Sequence, residues 1–263
     1  AVRVNPKIKV RDLARYPSVA EQRRILEETL DRPLPHFIFK GDISKAHRRV
    51  RVRRKDWGQQ ACRLDQPDEI WLNTVGTFGI ASAGYYWTRA ISVIARTIMT
   101  LMANEEWWQL LFVDDFSWTF TGEHFLKNVL FVIYFYCVLN VPFAWKKFAG
   151  GHEFEWVGFW INIGTFSAGI SEKRKSWVLG WIEEVTGDTV VKVKNCQEVL
   201  GRLQFVATAL ITMKPFLGPL YAWVASLPEQ TCLALPVSIK LILRFIAVLL
   251  QRCNAMAVVR PPA

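Results

Sequence analysis

The sequence predicts an α+β fold, in which strands and helices are mixed up to about residue 165 and helices dominate from about residue 170. In the first part, short runs rich in β-forming residues alternate with segments that have apolar residues at helical spacing. Later segments such as SEKRKSWVLGWIEEV and NCQEVLGRLQFVATALI are helical in pattern only. We therefore expect two subdomains. Neither terminal segment completes an element, so we expect the chain to be a piece of a longer polypeptide.

The elements are predicted from periodicity, caps and turn residues. They are, in order, a helix over 18–30 after a Ser N-cap, a strand at 37–39, an alternating basic segment over 48–55, a strand from 70, a helix over about 81–102, a hairpin centred on Asp114 and Asp115, a helix over 123–141 and a strand over 154–163 that contains Gly158.

Composition and charge narrow the class of protein. The chain is 51% hydrophobic with 12 Trp and 17 Phe, which excludes a disordered segment. Its net charge of +10 and its pI near 9.5 favour a polyanionic partner, either nucleic acid or an anionic membrane surface.

The five cysteines are scattered without any C-x-x-C spacing, which argues against a zinc site and a disulfide framework. We expect buried free thiols in a reducing compartment, the cytoplasm or the nucleus. The N-terminal segment has no apolar signal region.

Two apolar segments raise the alternative of a small multispan membrane protein. Val129–Val141 is too short for a bilayer crossing of roughly 20 residues. Cys232–Leu250 contains Pro236, Lys240 and Arg244, the last two where an amphipathic helix would place them. We interpret both segments as facing a protein core and predict no membrane partner.

Three carboxylates raise the possibility of a metal site. Asp114 and Asp115 lie between two apolar runs, and Asp42 directly follows a short apolar strand. A nucleotidyl transferase needs carboxylates from separate elements to hold two divalent cations. The alternatives are a solvated hairpin turn for the pair and a turn cap for Asp42.

Four segments resemble consecutive palm motifs of retroelement reverse transcriptases, in the family order and with family-like spacing. They are FKGDISKAHRRV, NTVGTFGIASAGYYWTR, LLFVDDFSWTF and FEWVGFWIN. A fifth segment, CQEVLGRLQFVATALITMKPFLGPLYAW, is similar to the thumb and connection of gypsy-like and DIRS-like retrotransposons. The resemblance covers about residues 1–225. Each motif alone occurs by chance, whereas four in order form a specific signal.

The resemblance implies a right-hand polymerase palm, an antiparallel sheet backed by helices, with partial fingers and a mainly helical thumb and connection. It places the partial fingers and palm at 1–165, the thumb at 166–230 and the start of the connection at 231–263. We expect the basic upstream fingers and the RNase H domain of relatives to lie outside this sequence. The implied partners are an RNA/DNA template-primer and deoxynucleoside triphosphates; the oligomeric state is not implied.

The resemblance also implies residue roles. Asp42, Asp114 and Asp115 would be the catalytic carboxylates; with the carbonyl of Ile43 they would hold two Mg²⁺ ions, for which Mn²⁺ can substitute. Lys146, favoured over Lys147, would act on the leaving pyrophosphate. The other implied sites are His47, Phe78 and Gly79 for the nucleotide, Trp156, Val157 and Gly158 for the primer end, and Arg51, Arg53 and Lys55 for the template.

This sequence departs from the family pattern at two of these positions. His47 replaces a Phe or Tyr that blocks the ribose 2′-hydroxyl, and Thr77 replaces the Pro of P-F-G. The other interpretations are a half-buried His47, a core Phe78, a solvated turn at Lys146 and a solvated basic edge strand over 48–55. A polymerase-shaped protein that only binds nucleic acid therefore stays an alternative.

Overall fold

The computed structural model describes residues 5–63, 69–77, 79–187, 190–253 and 255–257. Phe78 lies outside the described residues. The described residues form two compact units. The first comprises those within Ala1–Pro17 and Pro33–Gly150, and the second those within Ser18–Arg32 and Gly151–Ala263.

The secondary structure mixes helices and antiparallel strands. The helices are α1 (Val19–Thr29), α2 (Ala81–Leu101), α3 (Phe125–Val138), α4 (Glu172–Thr186), α5 (Val193–Ala209), α6 (Lys214–Ala225) and α7 (Val237–Arg252). The strands are β1 (His36–Asp42), β2 (Ala61–Arg63), β3 (Ile70–Leu72), β4 (Trp107–Phe112), β5 (Asp115–Thr121), β6 (Ala149–Gly151), β7 (Glu153–Trp156), β8 (Phe159–Asn162), β9 (Ser167–Ile170), β10 (Val190–Lys192), β11 (Cys232–Ala234) and β12 (Ala255–Ala257).

The first unit is built on a four-stranded sheet in the order β4-β5-β1-β6. Strand β5 lies between β4 and β1 and is antiparallel to both. Its side chains Phe116, Trp118 and Phe120 are fully buried, because α2 and α3 contribute Trp87, Ile91, Val132 and Tyr136 to the same apolar core. Alternation of apolar residues along β5 fixes the register, since a shift by one residue would turn this face to solvent.

The second unit combines a four-stranded sheet in the order β12-β9-β8-β7 with a β10–β11 pair and five helices. Helix α1 packs on β9 and α5, α4 packs on α7, and α6 packs on α5 and α7. Ser18 caps α1 in a capping box with Glu21, which confirms the helix start predicted from the sequence. The unit thus combines α1 with described residues from Gly151 onward.

One predicted strand is wrong in detail, and the alternating segment 48–55 is not the edge strand of the alternative interpretation. Residues 48–55 form 3₁₀ turns around a single bridging residue, Arg51, although Val50 and Val52 are half-buried between exposed arginines as expected. The segment 154–163 is two strands rather than one. Val157 and Gly158 both have positive φ, +50° and +79°, which makes the tight turn of a β-hairpin.

The cysteines are free as predicted, but only Cys196 is buried; Cys62, Cys137, Cys232 and Cys253 are exposed, so their predicted burial is wrong. No helix in the described part of the chain is both long and apolar enough to cross a bilayer.

Candidate active site

Strand pairing brings the three carboxylates together at one edge of the first unit's sheet. Asp42 is the last residue of β1, and its register partner is Asp115, the first residue of β5. Asp114 precedes Asp115 in the two-residue loop between β4 and β5. The hairpin predicted from the sequence is therefore confirmed, and Asp42 lies opposite its tip.

The hairpin tip is held in a strained conformation by two hydrogen bonds. Val113 has φ +58°, a region that a β-branched residue rarely adopts and that costs about 1–3 kcal/mol. The indole of Trp87 donates to the Val113 carbonyl (2.8 Å), and the amide of Ile43 donates to the Asp114 carbonyl (2.9 Å). These bonds fix the backbone of the hairpin tip and therefore the positions from which the side chains of Asp114 and Asp115 extend.

A half-buried glutamine supports the hairpin through its side chain. Oε1 of Gln109, on β4, accepts hydrogen bonds from the Trp118 indole and from the Tyr136 hydroxyl, both at 2.7 Å. Burial raises the pKa of Tyr136, so its hydroxyl stays protonated and donates. The sequence did not indicate this hydrogen-bonded set, because the role of a Gln in a strand depends on neighbours that are distant along the chain.

The charges of neighbouring carboxylates contribute to raised pKa values at Asp114 and Asp115. Burial, followed by the charge of Asp42, raises the pKa of Asp114. Burial, the charges of Asp114 and Asp42, and a hydrogen bond to Asp42 raise the pKa of Asp115 to about 6. Clustered carboxylates with raised pKa values are typical of sites that bind cations or transfer protons.

Lys147, rather than Lys146, contacts the carboxylates. Its Nζ donates to Oδ2 of Asp42 at 2.8 Å, and this bond raises the pKa of Lys147. The contact follows from the backbone, because the amide of Ala144 donates to the Asp42 carbonyl (2.8 Å) and ties the Lys147 turn to β1. Lys146 is exposed beside it.

The donor set fits a hard divalent cation. Carboxylate oxygens are the ligands that Mg²⁺ prefers, and the repulsion among Asp42, Asp114 and Asp115 is what a bound cation relieves. Among the described residues, no three His, Cys, Asp or Glu side chains are gathered tightly enough to hold a metal ion by themselves.

Two of the predicted nucleotide-binding residues, Ile43 and His47, lie near the carboxylates. Ile43 directly follows β1 and is buried. His47 is half-buried and close enough to Asp114 for its charge to lower that residue's pKa. Gly79 has φ +84°, a conformation that favours glycine. Phe78, predicted beside it, lies outside the described residues.

Asn5 holds the loop that contains Gly79, which the sequence did not indicate. Its side-chain amide donates to the Gly79 carbonyl (2.6 Å), and its Oδ1 accepts from the amide of Ala81 (3.0 Å). Asn5 thereby caps α2 from a distant part of the chain.

Two of the three predicted template residues, Arg51 and Arg53, line a groove of about 740 Å³ beside α2. Arg49, Arg51 and Arg53 line it, together with Tyr86 and Trp87 of α2. Lys55 is exposed in the following 3₁₀ turn and does not line this groove.

The predicted primer-end residues belong to the second unit. Trp156 is buried, and Val157 and Gly158 form the turn between β7 and β8. The Cα of Gly158 lies against the Arg174 guanidinium, so a side chain at position 158 would overlap Arg174.

Comparison with known proteins reveals a structural likeness without a sequence match. No protein-family model matches the chain, and no curated protein matches it in sequence. The structure of the foamy viral protease-reverse transcriptase dRH in complex with ds DNA matches with a TM-score of 0.70 at 16% identity over 97% of this chain. The foamy viral protease-reverse transcriptase in complex with RNA/DNA hybrid matches with a TM-score of 0.66 at 17% identity over 95% of this chain.

The chain spans 40% and 31% of the length of these two proteins. At such low identity the likeness shows the fold alone. The chain has a reverse transcriptase-like palm fold, an antiparallel sheet backed by helices with partial fingers and a mainly helical thumb and connection.

Proposed function

We propose that the chain is the RNA-directed DNA polymerase domain of a retrotransposon-like element, gypsy-like or DIRS-like. The observation that carries the proposal is the register pairing of Asp42 with Asp115, next to Asp114, within a reverse transcriptase-like fold. The motifs quoted from the sequence supply the retroelement assignment. The partial fingers and palm would occupy 1–165, the thumb 166–230 and the start of the connection 231–263.

The reaction joins a deoxynucleotide to a primer: the primer 3′-hydroxyl attacks the α-phosphorus, a P–O bond forms, and pyrophosphate leaves. Two Mg²⁺ ions, held by Asp42, Asp114, Asp115 and the Ile43 carbonyl, would neutralise phosphate charge and activate the hydroxyl. The protein's own contribution is positioning and electrostatics.

Several side chains have specific roles in this proposal. Lys147 carries its positive charge beside Asp42, where it can neutralise or protonate the leaving pyrophosphate; its neighbour Lys146 was favoured by the sequence alone. His47 lies beside the first turn of α2, where its planar ring can restrict which sugar the site accepts. Arg51 and Arg53 would follow the template phosphates, with Lys55 nearby, and Trp156, Val157 and Gly158 would contact the primer end.

The test is Mg²⁺-dependent extension of a DNA primer on an RNA template, with Asp114→Asn alongside. We expect extension by the wild type and a loss of at least about 100-fold in the variant, since Asp114 would help to hold the cations that neutralise the transition-state charge. Glu123→Gln is the matched control, because Glu123 is an exposed carboxylate of the same unit. Its extension rate should equal that of the wild type.

The second candidate function is nucleic-acid binding without catalysis. The ion pair between Lys147 and Asp42 favours it, because the ammonium already neutralises a carboxylate that a cation would use. Primer-template binding by the wild type, with no extension at any concentration of Mg²⁺ or Mn²⁺, would establish this alternative.

A further inference from the structure

A cavity of about 480 Å³ in the second unit lies beside the turn between β7 and β8. Its walls carry the cations Lys173 and Arg174 from the first turn of α4 and Arg202 from α5. Glu155 is its one acidic lining residue. The cavity therefore carries a net positive charge. The catalytic roles proposed above do not account for it.

Arg174 is held in place by aromatic stacking. Its guanidinium carbon lies 4.2 Å from the centre of the Phe205 ring, and that ring stacks on Phe159 with centroids 4.4 Å apart. Gly158 also lies against this guanidinium, so closely that a side chain at position 158 would overlap it. The guanidinium plane is thus fixed before any ligand arrives, which lowers the entropy lost on binding.

Arg202 is fixed in the same way by the neighbouring helix. Its guanidinium carbon lies 4.0 Å from the centre of the Trp177 ring of α4. Within the described part of the chain, neither Arg174 nor Arg202 forms an ion pair or a side-chain hydrogen bond. Stacking leaves the N–H groups in the guanidinium plane available to an oxyanion.

The position of the cations on α4 points to the same ligand. The charges of Lys173 and Arg174 are unfavourable in the first turn, where the helix dipole is already positive, and the acidic Glu172 in the same turn offsets only one of them. The side chain of the N-cap residue, Ser171, makes no capping hydrogen bond. An anion bound at this end would offset both effects.

We infer that this cavity binds a backbone phosphate of a nucleic-acid strand, through the guanidinium groups of Arg174 and Arg202. The inference rests on the proposed function only in its choice of nucleic acid as the source of the phosphate. A strand agrees with the size of the cavity, which exceeds that of one phosphate group, and with the exposed Lys173 at its rim, placed for a neighbouring phosphate.

The experiment measures binding of a fluorescein-labelled RNA–DNA duplex by anisotropy in EDTA, without nucleotides, between 50 and 200 mM salt. The variants are Arg174→Gln, Arg174→Lys and Arg202→Gln. Arg24→Gln is the matched control, because it removes an equal charge from an exposed helix of the same unit. Arg202 is exposed, so its substitution leaves the fold intact.

We expect Arg174→Gln and Arg202→Gln each to weaken binding about tenfold and to reduce the salt slope by about one. Arg174→Lys should recover only part of the affinity, because an ammonium lacks the planar fork. Arg24→Gln should stay within about twofold of the wild type.

Duplex affinities and salt slopes equal to the wild type in both glutamine variants would overturn the inference. So would no duplex binding by the wild type at 50 mM salt. A free deoxynucleoside triphosphate or inorganic phosphate that displaces the duplex at micromolar concentration would move the assignment to a free phosphate and overturn the strand as its source. Because the assay contains no metal, failure of primer extension leaves this result unaffected.

Discussion

Asp42 and Asp115 face each other as register partners at the end of β1 and the start of β5, and hydrogen bonding between their carboxyls contributes to the raised pKa of Asp115. Like charges at directly opposed positions destabilise an antiparallel pair. Asp114 adds a third negative charge from the loop. The sheet edge is therefore less stable in its ionised form than an uncharged edge would be, and bound cations would reverse this.

The first prediction concerns the pH dependence of this repulsion. The pKa of Asp115 is raised from 3.8 to about 6, so the folded state binds more protons than the unfolded state between these values. The destabilisation is absent below about pH 4 and grows as the pH rises through 6. Without divalent metal, Asp115→Asn should melt roughly 3 °C above the wild type at pH 8, allowing for solvent screening.

This difference should vanish at pH 4, which thermal unfolding followed by circular dichroism will show. Glu123→Gln, which removes an exposed carboxylate, should melt with the wild type at both pH values. An Asp115→Asn variant that melts at or below the wild type at pH 8 would contradict the raised pKa.

The second prediction separates two neighbouring lysines. Both lysines are exposed, but Lys147 is the one that contacts Asp42, so Lys147→Gln should lower the extension rate by about 100-fold, the lower end of what a general acid contributes. Lys146→Gln removes the same charge one residue away and should change the rate by less than about threefold. Single-turnover extension at saturating nucleotide measures both, and a larger loss in Lys146→Gln would restore the assignment made from the sequence.

Motif order was sufficient to predict the parts of the site that strand pairing creates. Asp42 follows an apolar strand and Asp114 lies between two others, so antiparallel pairing had to bring their ends together. The choice between Lys146 and Lys147 was not predictable, because adjacent residues in a 3₁₀ turn point in different directions and only the Ala144–Asp42 bond fixes which one reaches the carboxylate.

Long-range polar contacts could not be predicted from the sequence either. Asn5 caps a helix 76 residues away, and Trp87 holds a carbonyl in another element. The alternating segment 48–55 has the period of a strand, yet only Arg51 pairs with a neighbour, at Val75. Its period reflects burial of Val50 and Val52 rather than a sheet.

The third prediction concerns the glutamine that supports the hairpin. Gln109→Leu would leave the buried donors of Trp118 and Tyr136 without an acceptor, at a cost of about 1–3 kcal/mol for each group. We expect the free energy of unfolding to fall by about 2–4 kcal/mol in urea titrations. Gln59→Leu, at an exposed position of the same unit, should change it by less than about 0.5 kcal/mol. Equal stability of the two variants would show that Gln109 does not support the hairpin.

The fourth prediction contrasts two glycines that the sequence cannot distinguish. A Cβ at Gly41, the residue before Asp42, would lie 2.8 Å from ring atoms of both Phe148 and Trp118. These rings are packed in the core and flank the strand that carries Asp42, so Gly41→Ala should lower the free energy of unfolding by about 1–3 kcal/mol.

Gly180 lies inside α4, and a Cβ there would meet no atom within 4 Å. Gly180→Ala should therefore raise the free energy of unfolding by about 0.5–1 kcal/mol, because alanine loses less backbone entropy in a helix. Urea titrations of the two variants should give shifts of opposite sign. A neutral Gly41→Ala variant would mean that β1 can move by a few tenths of an ångström. The pairing of Asp42 with Asp115 would then tolerate displacement, contrary to what the close carboxyl contact and the raised pKa of Asp115 indicate.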